Sequence, residues 1–160
     1  MAKDVQRVIA VRGDYQVYRG AVKCESGLSA RKVATVIFDT AANDSAGVSN
    51  KTVAAHGSGV FLPLGAIILK ATYQVKTTFT SAANTATIAI KAEGANDIVS
   101  AIAINDGTNP WTAGFLAGIE DGTVTHYLAL TAEREIVFTN AVQALTAGKL
   151  VLFLEYVIGL

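Results

Sequence analysis

From Leu69 to Thr80 the chain alternates between a mostly apolar set and a wholly polar one. Leu69, Ala71, Tyr73, Val75, Thr77 and Phe79 fall on one side, and Lys70, Thr72, Gln74, Lys76, Thr78 and Thr80 on the other. A helix repeats about every 3.6 residues and would spread both sets around its axis. A strand sends successive side chains to opposite faces, so the run predicts a long strand with one buried face and one wet face. No other segment constrains the fold as tightly, because a strand of this kind needs a second layer to cover its apolar side.

Further strands are expected where β-branched and aromatic residues cluster. These are Val33 to Phe38, Ala86 to Lys91, Glu135 to Thr139 and Lys149 to Ile158, with Val60 to Leu62 leading into the long strand and Thr123 to Leu130 supplying another. Lys149 to Ile158 is apolar on both faces for most of its length, which marks a central strand or one covered by a neighbouring subunit. Near the start, Val5 to Val11 and Tyr15 to Val22 predict two strands around the turn Arg12-Gly13-Asp14. Turn formers such as Ala41 to Ser45, Gly94 to Asp97, Asn105 to Pro110 and Glu120 to Gly122 separate the runs. Trp111 to Leu116, directly after Pro110, is the best candidate for a short helical turn. The expectation is all-β, an antiparallel β-sandwich or jelly roll in a single domain. Residues 1–31 are expected as an arm or edge hairpin and 32–160 as the jelly-roll body.

The composition bears on association. Charged residues are only 16% of the 160, and 51% are hydrophobic. A compact monomer with so few charges would leave apolar or neutral surface in water, so permanent partners are expected. Net charge is zero, but Lys3, Arg7, Arg12, Arg19, Lys23, Arg31 and Lys32 outnumber Asp4, Asp14 and Glu25 in the first 32 residues, and the remainder carries the matching excess of acid. The basic side chains are too dilute and too interleaved with acids for a nucleic-acid arm. Cys24 is the single cysteine, which excludes an intrachain disulfide. The apolar runs, such as Gly65 to Leu69 and Leu150 to Leu154, fall far short of the ~20 residues of a membrane-spanning helix. The first residues carry no apolar signal region. Synthesis in the cytosol is therefore expected, with neither nucleic acid nor membrane as a partner.

The sequence offers no constellation for catalysis. His56 and His126 are isolated, and one cysteine with scattered carboxylates gives no metal-ligand spacing. Ser58 lies in His56-Gly57-Ser58-Gly59, but its glycines flank it directly, unlike the Gly-x-Ser-x-Gly elbow, so a flexible loop before a strand is expected. Nothing brings Cys24 to a histidine. No phosphate-binding glycine pattern is present. No catalytic residue, metal site or cofactor is predicted, and the protein is expected not to be an enzyme. Trp111, the only tryptophan, is either a plug at the end of a sandwich or, alternatively, an aromatic platform for a glycan with Asn109 or Asp106 beside it.

Three stretches, taken in order and spacing, resemble the head decoration or cement proteins of tailed phages with a jelly-roll fold. They are Phe61-Leu62-Pro63-Leu64-Gly65-Ala66-Ile67-Ile68, Asn109-Pro110-Trp111-Thr112-Ala113-Gly114, and Leu145 to Leu150 leading into Phe153-Leu154-Glu155-Tyr156-Val157. The resemblance spans roughly residues 60–158. It implies a homotrimer on the outside of a virion shell that bridges neighbouring major capsid subunits. On charge asymmetry, Arg7, Arg12 and Arg19 are the candidates for contact with an acidic capsid surface. The alternative reading is a receptor- or glycan-binding jelly-roll module of a tail or fibre, built around Trp111.

Overall fold

The computed structural model describes residues 8–12, 15–18, 21–24, 30–95, 97–114, 116–119 and 127–159. Its elements are all strands: β1 (Val8–Arg12), β2 (Tyr15–Tyr18), β3 (Ala21–Cys24), β4 (Lys32–Asp39), β5 (Ala54–Leu62), β6 (Ala66–Ser81), β7 (Thr87–Lys91), β8 (Val99–Ala103), β9 (Leu116–Ile119), β10 (Leu128–Ala129), β11 (Arg134–Ala141) and β12 (Leu145–Ile158). The first three form an antiparallel sheet in the order β1-β2-β3. The predicted second strand, Tyr15 to Val22, thus divides into β2 and β3, which pair with each other from Tyr15↔Cys24 to Tyr18↔Ala21.

The remaining strands make two antiparallel sheets. One runs β10-β6-β12-β4, with β9 also paired to β6, and the other runs β5-β11-β7-β8. From β4 to β7 the chain crosses between sheets at every step, makes one hairpin from β7 to β8, returns to the first sheet for β9 and β10, and crosses twice more. That connectivity is the jelly-roll arrangement of a two-sheet sandwich. Between the sheets lie Val36 and Phe38 of β4, Tyr73, Val75 and Phe79 of β6, Ile88 and Ile90 of β7, Ile136 and Phe138 of β11, and Leu150, Leu152 and Leu154 of β12, all buried. Phe38 stacks on Phe138 across the interior, centroids 4.7 Å apart.

The long alternating run is β6, and its inward set is close to the predicted one. Ala71, Tyr73, Val75 and Phe79 are buried, but so are Ala66 and Ile68, whereas Leu69 is half-buried and Thr77 exposed. The pairing explains the change of phase. Glu155 sits opposite Lys70 while Tyr156 sits opposite Ile68, so one residue of β6 bulges at Leu69 and the side-chain alternation flips there. A second slip, between Leu150↔Val75 and Lys149↔Thr77, precedes exposed Thr77.

Two loop expectations change. His56 to Gly59 is not a flexible loop but the first half of β5, paired with β11 through His56↔Phe138 and Gly57↔Val137. The ladder then slips before Phe61↔Glu135, with Gly59 at φ +74° donating its N–H to Glu135 Oε1 at 2.7 Å. Trp111 to Gly114 is a turn rather than a helix. Its Ala113 and Gly114 amides donate to Thr78 Oγ1 and to the Val75 carbonyl on β6, so they are spent on the sheet and cannot start a helical ladder. Of the strand expected at Thr123 to Leu130, β10 supplies Leu128 and Ala129, and residues 123–126 lie outside the described residues.

Candidate interaction surface

The outer face of the first sheet follows from the same alternation that builds its inner face. While Val36, Phe38, Leu150, Leu152 and Leu154 point inward, Val33, Thr35 and Ile37 of β4 and Val151 and Phe153 of β12 take the opposite parity. Register places Phe153 opposite Thr35, Val151 opposite Ile37 and Glu155 opposite Val33. The result is a contiguous apolar stripe in which Val33 is 61% exposed, Ile37 57% and Phe153 38%. Fully covering an aliphatic or aromatic side chain is worth about 1.5–3 kcal/mol, so the stripe is a reserve of binding energy.

Ion pairs close both ends of this stripe. At one end Arg31 lies 3.5 Å from Glu155, and at the other Lys149 lies 2.9 Å from Asp39. The Lys149 ammonium, followed by the Ala41 N–H, holds the Asp39 carboxyl below its ordinary value of 3.8. β4 therefore begins basic and ends acidic, and antiparallel β12, running from Lys149 to Glu155, does the same.

Polar staples fix the loops around the sandwich. Asp44 Oδ1 accepts the N–H groups of Ala46 and Val48, and Asp44 Oδ2 pairs with His56 Nδ1 at 3.0 Å. The Val48 amide does most to hold the Asp44 carboxyl below its usual range, with His56 and the Ala46 amide adding to it against the cost of burial. His56 is fully buried, and its Nε2 reaches the Thr52 carbonyl at 2.9 Å. Both ring nitrogens thus face oxygen atoms of the 40–53 loop. The imidazole is committed to holding the 40–53 loop and has no nitrogen left to activate Ser58, whose Oγ accepts from the Val60 amide. Across the molecule, Glu93 takes both Nε and an Nη of Arg134, at 3.0 and 2.8 Å, together with the Thr131 hydroxyl at 2.6 Å. Arg134 first, then Thr131, hold this carboxyl down at about 2.

Trp111 is 1% exposed. Its ring stacks on Tyr73 at 5.3 Å and meets Phe79 edge-on at 5.9 Å, and its Nε1 donates to the Ile102 carbonyl at 3.1 Å. A sugar platform needs a ring face open to solvent, and this ring has none. Asp106 and Asn109 serve the same turn: Asp106 accepts the Thr108 amide and hydroxyl, and Asn109 takes φ +50° and donates its N–H to the Asp106 carbonyl. Arg7 and Arg19 lie outside the described residues, as does His126. Arg12 ends β1 opposite Tyr15, and Cys24 ends β3 opposite the same residue. Among the described residues, no three His, Cys, Asp or Glu side chains are grouped to hold a metal ion, and no helix is long and apolar enough to cross a membrane. The apolar stripe and the staples escaped the sequence reading. The only trace of the stripe was the two-faced apolar character of Lys149 to Ile158.

The architecture defines a class of protein, a jelly-roll sandwich. No protein-family model matches the chain, and no curated sequence does. Solved structures do. A chain from the cyanophage Pam1 capsid asymmetric unit superposes with a TM-score of 0.60 at 19% identity, over 88% of this chain and 94% of that one. A chain from the acid-stable capsid of Helicobacter pylori bacteriophage KHP30 gives 0.54 at 15% identity, over 81% and 89%. One from the capsid of Ralstonia phage GP4 gives 0.50 at 19% identity, over 81% and 86%. At these identities what is shared is the fold, over 81–88% of this chain and 86–94% of the others.

Proposed function

We propose that this protein is a structural component of a tailed-phage virion that decorates the outside of the capsid and stabilises it by bridging neighbouring major capsid subunits. The observation that carries the reading is the likeness in fold to chains from three phage capsids, each matched over most of its own length. Chains of that size, close to this one's, suit a shell accessory. The sandwich supports the reading physically. Its interior is filled by side chains, its loops are stapled by buried or bidentate polar groups, and its binding energy lies on an outer sheet face. Arg7, Arg12 and Arg19 are proposed to register the N-terminal segment on an acidic capsid surface, with apolar burial supplying most of the affinity. A homotrimer is the proposed assembly.

The test is to add purified protein to expanded shells lacking it. Binding that raises the temperature at which the shells disrupt supports the proposal, and a folded protein that leaves the shells unbound and unchanged refutes it. Replacing Arg7, Arg12 and Arg19 together by Gln should weaken binding and flatten its salt dependence without altering the circular dichroism spectrum.

A further inference from the structure

The edge strands of the two sheets are not equally protected. β5 is interrupted by the slip between its Gly57 and Phe61 pairs, and β8 has five residues and a slipped register against β7. At the far end of the first sheet, β9 and β10 have four and two residues. β4 has none of these devices. It pairs with β12 in eight consecutive steps without a slip, from Lys149↔Asp39 to Tyr156↔Lys32, contains neither Pro nor Gly, and has uncharged outward residues at 33, 35 and 37. Among the described residues no strand hydrogen-bonds its other side. A long, regular, apolar edge of this kind is a template for pairing with another strand.

We propose that β4 pairs edge to edge with β4 of a second copy of this chain, antiparallel, about a twofold axis at Thr35. Antiparallel partners that face each other must share a side of the sheet, so paired positions add to an even number, and a sum of 70 is the one that sets Arg31 against Asp39. Thr35 then faces its own counterpart. Val33 faces Ile37 of the second copy, so the two most exposed side chains of the stripe cover each other. Arg31, just before the strand, faces Asp39 of the second copy. The basic entry and acidic exit of β4 make the edge complementary to itself, as an isologous interface requires, and the two stripes, each continued by Val151 and Phe153, merge across the axis. The contact is a property of the chain alone and stands apart from the capsid role. Within a threefold assembly it would join neighbouring trimers, since each β4 edge accepts one partner.

Disulfide trapping reads this register directly. With Cys24→Ser in the background, Thr35→Cys places two thiols opposite each other at a Cα separation of about 4.5–5.5 Å, within reach of a disulfide. Val33→Cys or Ile37→Cys alone puts identical residues four steps apart, about 13 Å, beyond that reach, whereas a mixture of the two brings unlike partners together. Under air oxidation, Thr35→Cys should run as a covalent dimer on a non-reducing gel, the two single variants as monomers, and their mixture as a dimer. All three positions are exposed, and circular dichroism verifies folding. If Thr35→Cys misfolds, the Val33→Cys and Ile37→Cys mixture carries the same test. A folded Thr35→Cys that stays monomeric overturns the pairing. So does equal cross-linking at all three positions, or cross-linking only to added capsid subunits, which would assign the edge to a different partner.

Discussion

Gly148 shows how one residue can hold a strand crossing together. It sits at φ +146°, and a Cβ built there would lie 2.0 Å from Phe79 Cδ1. Its carbonyl also accepts both the backbone N–H and the hydroxyl of buried Thr40. Gly148→Ala must therefore displace a core ring and strain the backbone. A loss of about 3 kcal/mol is expected, or a fall in Tm of about 6–12 °C for a domain of this size, measured by thermal unfolding. Asp44 does comparable work for a loop. Asp44→Ala removes the acceptor of the Ala46 and Val48 amides and the partner of His56, so hydrogen exchange should speed up across residues 44–53 while the β7 and β11 amides stay protected. Equal acceleration in both regions would show that Asp44 supports the whole fold instead.

At the level of elements, the Glu93–Arg134 pair ties the turn after β7 to the start of β11. Because Glu93 is held at about 2, down from 4.5, its contribution is fully present above pH 4.5 and is lost as pH falls from there toward 2. Glu93→Gln should flatten the dependence of Tm on pH within that window and change the slope little above it. Asp39, Asp44 and Asp106, also lowered, leave a residual slope. The elements also show what the sequence could and could not reveal. β4, β6, β7, β11 and β12 were legible because a half-buried strand writes its pleat into the polarity pattern. The start of β5 was not, because Gly57 and Gly59 look like loop residues. A Cβ at Gly57 would meet Ser45 Oγ and the Glu135 carboxylate, so a larger residue there would push those side-chain ends aside. The bulge at Leu69 was equally hidden, because it is set by pairing with Glu155 and Tyr156, distant in the chain.

For the whole molecule, the legible part was the class and the illegible part was the surface. All-β character, a two-sheet sandwich and a tryptophan plug could each be argued from local pattern. The stripe formed by Val33, Ile37, Val151 and Phe153 could not, because it exists only once β4 lies beside β12 in one register. The same holds for its bracketing ion pairs, which join residues more than a hundred positions apart. The low charge content does fit the apolar surface at Val33, Ile37 and Phe153. Whether this surface belongs to a shell component is read from the copy number per purified virion. A shell component is expected in many copies, in a fixed ratio to the major capsid subunit, and its removal should lower the capsid disruption temperature. A handful of copies, confined to the tail or a single vertex, would contradict it.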